Sequence, residues 1–274
     1  MWRYGWVLLL VAASACGNND QVLDPAAGSG TVRSTGTVTV LDDGGGPQLC
    51  LGAIQESMPP QCEGLEVTGW DWADHPEHEE AGGTRWGDFQ VTGTLDDTTF
   101  AVTEAVPADD ASVPPAEEVV DFSSPCPEPE GGWKVIDPER TTMETQDATV
   151  SAAHRLPGFT DLWLDQTRVA QPMNDPRKLI LNVRVTGDPA AAEKELRKTW
   201  GGMLCVSRAT VSKEELADIQ DELEDQPHYL GSGLSRGVVH LRVLLDDGSL
   251  QQRLDETYGK GTVILESALF EPVG

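Results

Sequence analysis

Gly233-Leu234-Ser235-Arg236-Gly237 carries the letters of a G-x-S-x-G nucleophile elbow. That motif needs a strand leading into the serine and a helix leading out. Here a helical stretch and a Gly-rich segment precede it and a strand pattern follows, so the five residues read as a loop. Gly231-Ser232-Gly233 lacks the lysine and the following helix of a phosphate-binding loop. Asp71, Asp74, His75, Glu77, His78, Glu79 and Glu80 crowd one loop with side chains that suit zinc or another divalent ion. Pro76 lies between the two histidines, so His75 and His78 are not presented from one helical face; they are the weak metal candidates, and a solvated acidic loop is the simpler reading. Trp70, Trp72 and Trp86 bracket that loop and are expected to cover the end of a barrel. His154 and His228 have no nucleophile near them in sequence. No catalytic constellation emerges, and no cofactor is implied.

The elements that must position these residues follow from pattern and charge. A formal net charge of −27 over 274 residues repels nucleic acid and anionic lipid headgroups. Residues 31–107 alternate in β-branched runs broken by turn residues, at 37–41, 48–51, 65–70, 89–95 and 99–103. They predict a small antiparallel β barrel or sandwich, OB-like in one form. Residues 108–146 form an acidic, Pro-rich linker, stiff and self-repelling. Residues 147–274 change to strands alternating with helices. Asp188-Pro189 opens a helix, and Ser212-Lys213-Glu214-Glu215 is a capping box. Leu196-Arg197-Lys198-Thr199-Trp200-Gly201 lines up with Leu254-Asp255-Glu256-Thr257-Tyr258-Gly259 as an internal repeat. Tandem βαβ units predict an antiparallel sheet with helices on one face, ferredoxin-like in outline, and an α+β protein overall. Strand alternation then places Arg184, Arg208, His240, Arg242 and Glu266 on the other face, as a polar binding surface or a sheet face laced with ion pairs.

The amino terminus carries one cation, Arg3, then an apolar run over 7–13 too short to span a bilayer, then Ala13-Ser14-Ala15-Cys16. This order predicts a signal peptide over 1–15, and the small residues ahead of Cys16 resemble the lipobox of bacterial lipoproteins. The resemblance implies a diacylglyceryl group on Cys16, cleavage just before it, and anchoring to the outer face of the cell membrane. Each buried CH₂ of the acyl chains contributes about 0.8 kcal/mol. Residues 16–30 then form the lipidated cysteine and its flexible tether. With Cys16 assigned, Cys50, Cys62, Cys126 and Cys205 remain, an even number that favours disulfides in an exported chain. Three connectivities are open. The turn at Met58-Pro59-Pro60 favours Cys50 with Cys62, leaving Cys126 with Cys205; the absence of a C-x₂-C pair argues against a zinc site.

Leu49-Cys50-Leu51-Gly52, Ser57-Met58-Pro59-Pro60-Gln61-Cys62 and Gly69-Trp70-Asp71-Trp72 together resemble a block in secreted lipoproteins of actinobacteria, a likeness that implies no particular activity. Residues 159–165, 178–188 and 214–223 are similar in outline to the pro-domains of α-lytic-type serine proteases. That likeness implies a module that packs on a protease, partly by strand pairing, and inhibits it or assists its folding. The expected function is a non-catalytic protein-interaction module at the cell envelope. Its partners are the membrane, through the lipid, and an envelope or secreted protein, with nucleic acid excluded. A protease-directed module is the alternative, and a metal-binding or hydrolytic protein the third.

Overall fold

The computed structural model describes residues 30–96, 98–111, 121–169, 174–246 and 248–270. The expected signal peptide, Cys16 and nearly all of the tether lie outside the described residues. Seven strands come first: β1 (Thr31–Ser34), β2 (Val38–Asp42), β3 (Gln48–Cys50), β4 (Leu65–Thr68), β5 (Glu79–Ala81), β6 (Thr84–Asp96) and β7 (Thr99–Pro107). The long β6 pairs with β1 and β2 on one side and with β5 and β7 on the other. With β2–β3, β3–β4 and β4–β7 pairing in turn, the strands close on themselves around Val40, Leu49, Val67, Phe89, Val91 and Phe100. Closure leaves no open edge inside the ring. Gly93 stands at a bulge in β6 where the Ala101 carbonyl occupies the space a Cβ would need, so only glycine lets β7 approach there.

Two units of identical element order follow. The first is α1 (Met143–Ala153), β8 (Phe159–Asp165), β9 (Ile180–Val185), α2 (Pro189–Leu196) and β10 (Met203–Arg208). The second is α3 (Lys213–Leu223), β11 (Tyr229–Ser235), β12 (Val238–Leu245), α4 (Leu250–Tyr258) and β13 (Val263–Phe270). The duplication extends to local chemistry. Both opening helices start with a capping box, Thr142 with Thr145 and Ser212 with Glu215. Both reach their first strand through one residue of positive φ, Gly158 at 68° and His228 at 61°. Each unit packs its helices on one face of three strands. Ala192, Leu196 and Trp200 meet Leu181, Val183 and Leu204 in the first; Leu216, Leu223 and Leu254 meet Val239, Leu241 and Val263 in the second. Burying such a side chain stabilises by about 1.5–3 kcal/mol.

The expected fold class is corrected. Strand outweighs helix, 38% against 20%, and neither half is an antiparallel sheet of its own. β4 runs parallel to β7, β9 to β10, and β12 to β13. A hairpin reverses the chain, whereas a crossover helix restores its direction and returns the next strand parallel. The two units also fail to share one sheet. β13 pairs antiparallel with β1 (Arg33↔Phe270, Ser34↔Leu269), so the second unit continues the barrel strands into a ten-stranded mixed sheet. β10-β9-β8 stays separate as a three-stranded sheet. Leu244, Ala268 and Leu269 enter the barrel core, and that burial joins the second unit to the barrel.

Cys50 and Cys62, and Cys126 and Cys205, form two disulfides, with Cα–Cα distances of 5.9 and 5.8 Å. Two disulfides mark an exported or extracellular protein. Among the described residues, no helix is long and apolar enough to cross a membrane.

Candidate interaction surface

The duplication gives each unit one sheet face covered by helices and one facing away. In the first unit the far face carries Trp163, Asn182 and Cys205 as one cross-strand row, and Asp161, Arg184 and Ser207 as the next. It is covered. Residues 121–128, from the stretch expected to be a stiff acidic linker, cross it as a strap. The Trp163 indole donates to the Phe122 carbonyl at 3.1 Å, and Cys126 is bonded to Cys205. The amide and hydroxyl of Ser124 both donate to Asp165 at 2.8 Å. Burial alone would raise the Asp165 pKa, but these donors and those of Thr167 outweigh it and hold the carboxyl below the usual range. Under the strap Trp163, Asn182 and Cys205 are 6%, 0% and 1% exposed.

The β11–β12 hairpin tip docks beside this strap. Arg236 and Gly237 form its two-residue turn, both at positive φ (56° and 72°), as a hairpin matching strand twist requires. The Arg236 guanidinium lies 4.4 Å from the Trp163 ring centre and 4.9 Å from that of Phe122. Its carbonyl accepts from Arg184 Nη1 at 3.0 Å. The G-x-S-x-G letters therefore describe an inter-unit clasp.

The same face of the second unit packs on the barrel core at Leu244 and Ala268, and among the described residues no strap crosses the rest of it. Its rows are Gly233, His240 and Ile264, then Gly231, Arg242 and Glu266. His240 Nδ1 stands 3.8 Å from Glu266 Oε1, with side chains 28% and 58% exposed. Arg242 is exposed and makes no hydrogen bond or ion pair with a described residue. A Cβ added at Gly231 or Gly233 would meet nothing within 4 Å. The glycines thus leave a depression of about 270 Å³, walled by Gly52 and Ala53. It runs into a cleft of about 1240 Å³ between Leu230, Leu244 and the loop 52–64, which Cys50–Cys62 and a Gln55–Gln61 bridge hold in shape. β11 borders both and, among the described residues, no strand pairs its outer edge.

Of the five residues expected on one face, the structure converges His240, Arg242 and Glu266. Arg184 faces the strap of the other sheet, at 5.0 Å from the Trp163 ring. Arg208 falls on the opposite register of β10, at its exposed end, donating to the Thr186 carbonyl at 3.3 Å. The separation follows from the two sheets being distinct. His75 stacks on Trp70 at 4.0 Å, and His78 Nδ1 donates to the His75 carbonyl at 2.6 Å. Trp72 donates to Asp42 at 3.1 Å, and Arg85 pairs with the same carboxylate at 2.9 Å. Burial would raise the Asp42 pKa, yet amide bonds from Gly44 and Gly46, then Trp72 and Arg85, hold it below the usual range. These rings close the barrel end. Among the described residues, no three of His, Cys, Asp and Glu gather as a metal-holding cluster. His154 packs on Phe159 with ring centres 4.6 Å apart, and His228 lines the large cleft.

β11, the strand that floors the depression, is absent from the sequence reading. Its Gly-Ser-Gly run has turn composition, and only pairing with β12 and cover by α3 make it a strand. The available signal was the repeat itself, carried back from β8. No family model matches the chain, and no curated protein matches it.

Proposed function

We propose that this is an exported protein, anchored by lipid on Cys16, that binds another protein of the cell envelope through the open sheet face of its second unit. The observation that carries the reading is the contrast between two corresponding faces, one sealed by a strap and one whose exposed Arg242 has no partner among the described residues and stands on a glycine floor. An exposed face in a duplicated scaffold is a surface available to a partner. The reading is non-catalytic: Ser235 is the last residue of β11 before the hairpin turn, and its neighbours Arg236 and Gly237 are used in docking two units. The outer edge of β11, which no strand among the described residues pairs, favours a second reading, a module that adds a strand to a protease, as the pro-domain likeness implies.

The test is a photo-cross-linker placed at position 264, on the same face as Arg242, or at 208 as control, in the intact protein within its native envelope. A discrete adduct from 264 alone, lost in Arg242→Glu, is the expected result. Equal labelling from both positions would refute the face. An adduct with an exported serine protease, inhibited by the added protein, would move the assignment to the second reading. Metabolic labelling with palmitate, abolished by Cys16→Ala, tests the anchor.

A further inference from the structure

We infer that the open face takes an extended peptide segment of a partner protein that presents an aromatic side chain beside a carboxylate, seated as the strap is seated on the first unit. The inference rests on the open-face reading and names its occupant. The two faces correspond residue by residue. Trp163 is the fifth residue of β8 and Gly233 the fifth of β11; Asn182 and His240 are the third residues of β9 and β12, and Arg184 and Arg242 the fifth. Where the first unit places an indole, the second has no side chain, and the space is open. An aromatic ring brought by a partner fills that space, the pairing by which aromatic side chains cover glycines in sheets.

Charge selects the second feature. Arg184 is engaged by the Arg236 carbonyl, whereas its counterpart Arg242 has no partner among the described residues and is exposed. A carboxylate satisfies a guanidinium with two parallel hydrogen bonds. At a net charge of −27 the chain repels a strongly acidic segment, so the face selects one carboxylate next to the ring and not an acidic run. The strap offers the template for the order of the two groups: Asp121, whose carbonyl accepts from Arg236 Nη2 and whose carboxylate accepts from Ser123, precedes Phe122, whose ring lies over Arg236 and whose carbonyl is held by Trp163.

The probe is a fluorescent peptide of the strap sequence 121–128 with Cys126→Ser, titrated into the intact protein and read by anisotropy. The first unit's face is already occupied by the disulfide-held strap, so the signal reports the second. Saturable binding is expected, weakened at least about tenfold by Phe122→Ala in the peptide, by Arg242→Glu, and by Gly233→Trp, which would fill the depression with the protein's own indole. Thermal melting checks that each variant folds, and Gly233→Leu serves if the tryptophan variant does not. No binding, or binding that ignores both the ring and Arg242, overturns the inference. Light scattering that shows a dimer dissolved by Arg242→Glu would also overturn it, in favour of a second copy. If the peptide fails while the adduct from position 264 persists, the proposed function stands without this occupant. If both fail, the open-face reading falls.

Discussion

Removing the Cys126–Cys205 disulfide tests the strap most directly. The bond spans 79 residues and encloses nearly all of the first unit, whereas Cys50–Cys62 spans 12 around one loop. In the chain-entropy description, closing loops of those lengths stabilises by roughly 4.5 and 2.8 kcal/mol at 25 °C. The structure adds a local cost to the first, since the strap's bonds to Asp165 and Trp163 depend on Cys126 holding it down. Cys126→Ser with Cys205→Ser should therefore destabilise the protein by at least about 1.7 kcal/mol more than Cys50→Ser with Cys62→Ser. The assay is urea unfolding followed by circular dichroism, with tryptophan emission reporting exposure of Trp163. The double variant of the long loop should also red-shift that emission before global unfolding. Should it prove the milder of the two, or leave Trp163 shielded until the whole protein melts, the strap is not held by this bond and the reasoning fails.

Asp165 makes the strap sensitive to acid. Its folded pKa lies below the unfolded value of about 3.9, so its stabilisation is fully present above that value and is lost as pH falls through the folded one. Hydrogen exchange at Ser124 should accelerate in that window, and Asp165→Asn should flatten the dependence; an unchanged profile in the variant would remove Asp165 as the cause. Arg236→Ala deletes the guanidinium between Trp163 and Phe122 and should cost about 1–2 kcal/mol, with faster exchange along β8. Unaltered stability and exchange would show that the hairpin tip does not clasp the units.

Local chemistry was legible where it rests on neighbours in sequence. Asp188 with Pro189, and Ser212 with Glu215, cap the helices as expected because a cap is made within a few residues. The Met58-Pro59-Pro60 turn brought Cys50 to Cys62, and counting left the other pair. The repeat was visible in one segment of α2 and α4, but its full length was hidden. β8 is joined to β9 across 166–179 and β11 to β12 by two residues, so the copies drift out of alignment. His75 and His78 stand as weak metal candidates in sequence because only residue type is visible there, while the Trp70 ring that stacks on His75 is a tertiary fact.

By itself, then, the sequence determined an acidic chain with an exported-type cysteine count, its capped helices, and a change from strands to alternating strands and helices near residue 147. Tertiary structure alone decided which strands became neighbours. Pairing energy is shared between residues far apart in the chain, and β13 meets β1 across the whole length of the protein. It also decided that, among the described residues, a strap crosses only one of two corresponding faces. The strap covers the first because Cys126, Phe122 and Ser124 find Cys205, Trp163 and Asp165, contacts that no local pattern encodes. The second face stays open because glycines in β11, read locally as a turn, are held as a strand by β12 and α3.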